Sequence, residues 1–99
     1  PAPLERPALD QLFLEARTHG HWREDPVPEA TLGRLYELLR MGPTSANCCP
    51  ARFVFATSRA AREKLAACVS KGNQAKVLAA PVTVMIGMDE RFDEHLGKL

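Results

Sequence analysis

The sequence predicts a single domain of the α+β class, with helices and strands in the order ααβααβα. Apolar residues recur at helical spacing in several segments, and two short runs are rich in β-forming or apolar residues. Glycine and proline separate these segments. With 99 residues, of which 45% are hydrophobic and 25% charged, the chain suits one domain and is too apolar to be disordered.

The N-terminal part is predicted to contain two helices with proline-rich links. Residues 1–7 hold three prolines and are expected to be an irregular lead-in. Apolar residues at helical spacing predict a first helix over residues 8–17, which Gly20 ends. Pro28 suits the first turn of the second helix, which continues through Met41 and stops at Gly42-Pro43.

The remaining elements follow from β-forming residues, caps and breakers. Residues 52–57 are predicted to be a strand, and Ser58 suits the N-cap of a helix over 59–69. Cys68 in that helix is expected to be a small buried hydrophobe. A short helix over 73–80 precedes an almost wholly apolar strand over 81–88, which is expected to be covered on both faces. Residues 91–99 are predicted to form a last helix.

Composition excludes several classes of function. A formal net charge of +1 gives no footprint for nucleic acid or an anionic membrane. The longest nearly apolar stretch, residues 77–88, is interrupted and shorter than a membrane helix. No secretory signal is recognisable. Three cysteines, two of them adjacent, make a poor disulfide framework, so a reducing, cytoplasmic location is expected.

The sheet and the last helix both suggest an incomplete domain over residues 1–99. Two strands are fewer than a stable sheet usually needs. The last predicted helix reaches Leu99 without a cap, glycine or proline.

Two segments carry polar residues that suit a ligand. The loop 42–52 joins a helix to a strand and holds hydroxyls, an amide and backbone donors; an ordinary connecting loop is the alternative. Residues 17–22 follow a helix end, where Arg17 and Thr18 suit phosphate; the alternative is a solvated turn with Trp22 packed inward. His19 and His21 with the paired cysteines match no usual zinc spacing.

A third polar segment covers residues 72–76. Asn73 and Lys76 lie three apart, on one face of a helix near its start, and suit an anionic or heteroaromatic ligand. An N-cap and a surface lysine are the alternative. The acidic residues after the second strand are expected to be a solvated helix start; they are Asp89, Glu90, Asp93 and Glu94. Because nucleophile and nucleotide-binding motifs are absent, an enzyme of this sequence would need a cofactor for its chemistry.

Together these segments resemble the flavin-dependent nitroreductase family. The resemblance rests on Arg17-Thr18 with Trp22, on the block 42–53, and on Gly72-Asn73 with Lys76 ahead of Ala80-Pro81. Within the family, the chain is most similar to the malonic semialdehyde reductase branch, also described as NADH dehydrogenase/NAD(P)H nitroreductase. It resembles only the N-terminal half of the nitroreductase-like fold, because family members are roughly twice as long.

The resemblance implies an FMN-containing homodimer that passes a hydride from NADH or NADPH, through the flavin, to a small acceptor such as malonic semialdehyde, a quinone or a nitro compound. It assigns cofactor-binding roles to residues of all three segments: Arg17, Thr18 and His19 at the phosphate and ribityl chain, Thr44, Ser45 and Asn47 against the flavin, and Asn73 and Lys76 at its ring. Arg52 is a candidate for binding a substrate carboxylate. Further basic residues usual in the first segment are replaced here by Ala16 and Gly20.

Two other functions remain open at this point. The chain could be a truncated, non-catalytic domain that acts only by associating with another chain through its exposed sheet edge and apolar helix faces. A small helical nucleic-acid binder is the third alternative, although the sequence has no basic helix.

Overall fold

A computed structural model describes residues 1–94 and has an α+β architecture, as the sequence predicts. Within these residues, the strands form one two-stranded antiparallel sheet. A π-helical turn, Asp10–Leu14, continues the first helix, and short 3₁₀ turns cover Ser45–Asn47 and Lys71–Asn73. The main elements are α1 (Arg6–Leu9), α2 (Glu29–Leu39), β1 (Ala51–Ala56), α3 (Arg59–Ala66), α4 (Gln74–Ala79) and β2 (Thr83–Met88).

The strand register determines which segments meet at each end of the sheet. Ala51 pairs with Met88 and Ala56 with Thr83. The loop that enters β1 and the segment that leaves β2 therefore lie at the same end. Directly opposed residues of an antiparallel pair share a face. Phe53 consequently lies on the same face as its partner Ile86, and the Phe53 ring meets Tyr36 of α2 edge-on at 6.1 Å.

Helices α3 and α4 pack against each other and are held by defined polar contacts. Ser58 is the N-cap of α3, where its Oγ accepts from the Ala61 backbone N–H at 3.1 Å. Arg62 of α3 donates to the carbonyls of Leu78 and Ala80 at 2.7 and 2.8 Å. These two bonds satisfy carbonyls at the end of α4 that have no partner within the helix.

Little of this chain is buried. Among the described residues, the buried hydrophobic ones are small: Cys48, Ala56, Ala66 and Ala80. The radius of gyration is 16.7 Å, whereas a compact chain of this length has about 13 Å. The accessible surface is 8513 Å², against about 5,600 Å² for a compact monomer of the same mass. The fold therefore leaves an unusually large area of side chains uncovered.

Most predicted elements are confirmed within a few residues, but the bounds of the first helix and of the N-terminal lead-in are wrong. The first helix runs from Arg6 to Leu14 instead of 8–17, so the irregular lead-in is shorter. Its last turn widens to a π-helix, which no simple apolar spacing signals. Trp22 is 40% exposed, so the alternative with an inward-packed Trp22 does not describe residues 17–22 in this chain.

In the second half, two expectations about burial are wrong. β2 begins at Thr83 and is not covered on both faces, since Ile86 and Met88 are each 68% exposed. An apolar run is typical of a strand covered on both faces, but it does not show that the same chain supplies the cover. Cys68 lies past the end of α3 and is exposed, and its thiol donates to the Lys64 carbonyl at 3.4 Å.

The last predicted helix is only partly within the described residues. Residues 92–94 form a short 3₁₀ turn, and residues 95–99 lie outside the described part. Over residues 1–94, helices are too short or too polar to cross a membrane.

Candidate functional site

The loop between α2 and β1 has an uncommon backbone conformation. Ala46, Asn47 and Cys49 have positive φ angles of 51°, 51° and 47°. Asparagine tolerates this left-handed region, but for other non-glycine residues it costs about 1–3 kcal/mol. Three such residues within four positions need compensating contacts to persist.

Thr44 and the Cys49 thiol supply these contacts. The Thr44 carbonyl accepts from the Asn47 N–H, and its Oγ1 accepts from the Cys49 N–H, both at 3.1 Å. The Cys49 thiol donates to the Asn47 carbonyl and side-chain oxygens, each at 3.5 Å. The Thr44 hydroxyl is therefore occupied within the loop. The Ser45 hydroxyl and the Asn47 amide nitrogen have no hydrogen-bond partner among residues 1–94, and both residues are exposed.

Arg52, the second residue of β1, links this loop to the far end of β2. Its Nη1 donates to the Cys49 carbonyl at 2.8 Å and to the Ala51 carbonyl at 3.0 Å. Its Nη2 pairs with Asp89 Oδ2 at 2.9 Å. The predicted substrate-binding guanidinium is thus already neutralised by a carboxylate, so a substrate carboxylate would have to compete with Asp89.

The N-terminal cluster lies in an irregular segment after the π-helical turn. Arg17 Nη1 donates to the carbonyls of Leu14 and Ala16 at 3.1 and 2.7 Å, which satisfies the end of that turn. Thr18 and His19 are exposed. Nη1 of Arg17 is therefore hydrogen-bonded to the backbone. The other guanidinium nitrogen atoms have no partner in the described part of the chain.

Asn73 and Lys76 occupy the start and the body of α4. Asn73 is at the N-cap position, but its side chain does not cap the helix; its Nδ2 donates to Ser70 Oγ at 3.0 Å. Lys76 is exposed and makes no ion pair with another residue of 1–94. Its ammonium is available to an anionic ligand.

The structure connects some predicted residues and leaves others apart. Thr44 and Asn47 share one hydrogen-bonded loop, and Arg52 is tied to the same loop. Within residues 1–94, no hydrogen bond or ion pair joins the N-terminal cluster, this loop and the Asn73–Lys76 pair to one another. The described residues also contain no group of three or more His, Cys, Asp or Glu that could hold a metal ion.

Asp89 is the residue that sequence reasoning missed. The acidic segment after β2 was expected to be solvated, but the Asp89 side chain is only 23% exposed and pairs with Arg52. A pairing of the two strands in antiparallel register would have revealed this contact, because it places the residue after β2 beside the start of β1. Periodicity within each strand carries no information about that register.

Comparison with known proteins gives a consistent picture over nearly the whole chain. A protein of Stutzerimonas stutzeri, named as an NADH dehydrogenase/NAD(P)H nitroreductase, is 55% identical over 98 residues, which is 99% of this chain and 50% of that protein. A protein of Burkholderia lata with the same descriptive name is 56% identical over 96 residues, or 97% of this chain and 49% of its own length. No protein-family profile matches.

Nearly the whole chain is thus similar to proteins named as NADH dehydrogenase/NAD(P)H nitroreductases. It spans about half the length of the curated relatives it matches. A crystal structure of a nitroreductase family protein from Streptococcus pneumoniae supports the fold, with a TM-score of 0.77 at 23% identity. The match covers 87% of this chain and 44% of the streptococcal one. The nitroreductase-like fold predicted from the sequence is therefore confirmed.

Proposed function

We propose that this chain belongs to the nitroreductase family and forms part of an FMN-dependent oxidoreductase that uses NADH or NADPH as its reductant. The observation that carries the proposal is that 97–99% of the chain matches proteins whose names specify an NADH dehydrogenase/NAD(P)H nitroreductase. The three polar clusters fall within this similarity. A flavin is the cofactor that the family resemblance implies.

The chemistry of the available donors fits FMN. The donor groups without partners in residues 1–94 include the hydroxyl of Ser45, the amide nitrogen of Asn47 and the ammonium of Lys76. A flavin ring offers carbonyl oxygens and ring nitrogens as acceptors, and its phosphate is an anion. None of the candidate cofactor-binding residues is acidic, and Arg17 and Lys76 add two positive charges. Such a set favours an electron-rich, anionic ligand.

FMN, when bound, would supply the hydride chemistry, and the residues of this chain would bind and orient it. The hydroxyl of Ser45 and the amide nitrogen of Asn47 would donate hydrogen bonds to the ring. Lys76 would place a positive charge near the ring and favour negative charge there. Arg17, with Thr18 and His19, would bind the phosphate and ribityl chain. No side chain of this chain is required as a nucleophile.

The acceptor belongs to the class of small reducible molecules. Malonic semialdehyde is the acceptor implied by the branch that the sequence resembles, with quinones and nitro compounds as alternatives. Because Arg52 is already paired with Asp89, a carboxylate-bearing acceptor would have to compete with that ion pair for the guanidinium. Comparing the rates with one acceptor of each type separates the three.

The FMN site is tested by replacing Lys76. We expect Lys76→Ala to weaken FMN binding about five- to tenfold, because a charge-assisted hydrogen bond is lost. Lys71→Ala is the matched control, since Lys71 is also exposed and lies just before α4. FMN is titrated and flavin fluorescence is followed, both with the chain alone and with a polypeptide equivalent to the unmatched half of the Stutzerimonas relative.

The outcome separates cofactor binding from folding. Neither substitution should change the free energy of unfolding by more than about 0.5 kcal/mol, because both side chains are exposed. Equal FMN affinity for the unaltered chain and for both variants would contradict the assignment of Lys76. If FMN binds neither to the chain alone nor to the chain with the added polypeptide, the proposed cofactor is wrong.

Association with another polypeptide is the second proposal, and the exposed apolar surface favours it. The surface in excess of a compact monomer is of the order of 3,000 Å² for this one chain, which is at least as much as each partner buries in a large obligate interface. A second copy, as in the homodimer that the resemblance implies, is the first candidate partner. Sedimentation equilibrium with and without FMN tests this proposal, and a stable monomer in both conditions would contradict it.

A further inference from the structure

Arg52 lies at the end of the sheet where the start of β1 and the end of β2 meet the Thr44–Cys49 loop. Its ladder partner is Gly87, so Asp89 lies two residues beyond that partner, just past the end of β2. The side chains form one connection, from Arg52 Nη2 to Asp89 Oδ2 at 2.9 Å. The backbone forms a second, because the Asp89 N–H donates to the Pro50 carbonyl at 2.8 Å. The end of β2 is thus fastened to the residues that lead into β1.

The same guanidinium restrains a residue in a left-handed conformation. Arg52 Nη1 donates at 2.8 Å to the carbonyl of Cys49, whose φ is 47°. The direction of a carbonyl depends on the backbone rotation of its residue, so a fixed donor favours one backbone state. Asp89 is the less exposed member of the pair, with 23% of its side chain accessible against 54% for Arg52, and it supplies the anchor.

The geometry points to Arg52 as a positioning residue, which holds the Cys49 carbonyl from its anchor on Asp89 and keeps the Thr44–Cys49 loop in its left-handed form. This deepens the proposed function, on which its last step rests: the restrained loop presents Ser45 and Asn47 to the flavin. Arg52 acts on the cofactor only through the loop. The guanidinium is engaged by Asp89 and by two backbone carbonyls, so this role requires no contact between Arg52 and a ligand.

Cys48 provides a reporter of the loop that does not depend on FMN. It lies between Asn47 and Cys49, both left-handed, and is only 7% exposed, whereas Cys49 is exposed. If the loop leaves its left-handed form, Cys48 must move with its neighbours. In a Cys68→Ser background, the reaction of a neutral maleimide therefore reports one fast thiol, Cys49, and one slow thiol, Cys48.

The test compares Arg52→Gln with a matched control. We expect Arg52→Gln to raise the labelling rate of Cys48 about tenfold, because a buried thiol reacts in proportion to its opened population. Arg52→Lys keeps one donor and should restore part of the protection. The control is Arg59→Gln, since the Arg59–Glu63 ion pair is similarly exposed, at 62% and 57%, and lies away from the loop. It should leave the Cys48 rate unchanged.

A parallel titration with FMN links the loop to the cofactor. We expect Arg52→Gln to weaken FMN binding about fivefold and Arg59→Gln to have no effect. If Cys48 is labelled at the same rate in Arg52→Gln as in the unaltered background, the inference is wrong, whatever FMN does. If no variant binds FMN but Cys48 becomes reactive, the loop restraint is correct and the proposed cofactor is wrong.

Asp89→Asn keeps the test decisive if Arg52→Gln fails to fold. The asparagine retains the size and one oxygen of the side chain but removes the charge that anchors the guanidinium. We expect a smaller rise in Cys48 labelling, about threefold, with unchanged circular dichroism. An unchanged Cys48 rate in a folded Asp89→Asn chain would overturn the anchoring role of Asp89.

Discussion

Two regions of this chain differ in how well their groups are satisfied or buried. One is the α3–α4 pair, and the other is the face shared by α2 and the sheet. In the α3–α4 pair, Arg62 satisfies the end of α4, Ser58 caps α3, and Ala66 is buried. On the α2 face, the Tyr36 and Phe53 rings touch, yet Tyr36 remains 45% exposed, and Ile86 on the same sheet face is 68% exposed. In the α3–α4 pair, the Ser58 hydroxyl and the Arg62 guanidinium have partners within the chain. On the face shared by α2 and the sheet, large apolar side chains remain exposed.

This difference shows that polar groups can find hydrogen-bond partners within a chain where large apolar side chains stay exposed. Caps, carbonyl contacts and the Arg52–Asp89 pair need only groups that this chain brings together. Burial of large side chains needs an opposing layer, and a domain usually consists of two or more such layers. Large residues such as Met41, at 78% exposure, and Ile86 therefore remain uncovered, whereas the buried residues are small.

The largest effect is expected from Arg62→Ala in the α3–α4 pair. The substitution removes both bonds to the end of α4, so the Ala80 carbonyl loses its side-chain donor and the Leu78 carbonyl keeps only a 3.5 Å contact with Arg59. Hydrogen bonds from a charged donor contribute more than neutral ones, so we expect a loss of about 2–3 kcal/mol in the free energy of unfolding. Urea unfolding followed by circular dichroism measures it.

Arg59→Ala is the matched control for Arg62. Arg59 lies on the same helix, but its contact with the Leu78 carbonyl is long, at 3.5 Å, and its ion pair with Glu63 is exposed. We expect a loss below about 1 kcal/mol. Equal losses for the two variants would show that Arg62 does not hold α4, and the contrast between the regions would weaken.

A smaller effect is expected from Ser58→Ala, which removes the N-cap of α3. The Ser58 hydroxyl accepts from the Ala61 N–H at 3.1 Å, and loss of such a cap costs about 1 kcal/mol. Ser70→Ala is the control, because the Ser70 side chain makes no capping bond and accepts only from Asn73. Hydrogen exchange at the Ala61 amide should speed up in Ser58→Ala alone; unchanged exchange would contradict the cap.

Much of the local structure was predictable from the sequence because its causes are local. A cap or a breaker determines where a helix begins or ends, as Ser58 does before α3 and Gly42-Pro43 after α2. The β-forming run from residue 52 likewise favours a strand at its own position. The exposure of β2 was not predictable. An apolar strand is typical of burial on both faces, but its sequence does not indicate whether the same chain provides that burial.

The candidate site was predictable as residue types and much less as contacts. The 42–52 loop stands out by its hydroxyl and amide residues, and the family resemblance gives them a role. The left-handed Ala46 and Cys49 carry no sequence signal, because neither residue type favours that conformation. The Arg52–Asp89 pair depends on strand register, which only the folded chain reveals.

The smallest effect on folding is expected from Ile86→Thr on the face shared by α2 and the sheet. Ile86 is 68% exposed, and threonine keeps the β-branch that suits a strand. At low concentration, where the chain is not associated, we expect the free energy of unfolding to change by less than about 0.5 kcal/mol. Val54→Thr is the matched control on the opposite face of the sheet, at 52% exposure.

The same pair of variants identifies which face a partner covers. If a second polypeptide covers the α2 side, Ile86→Thr should weaken association about five- to tenfold, because apolar area is lost from the interface. Val54→Thr should then leave association unchanged, and the reverse result would assign the partner to the other face. A loss above about 2 kcal/mol in the unassociated Ile86→Thr chain would mean that this region buries its own surface. In that case both regions would be complete within the chain, and their contrast would not hold.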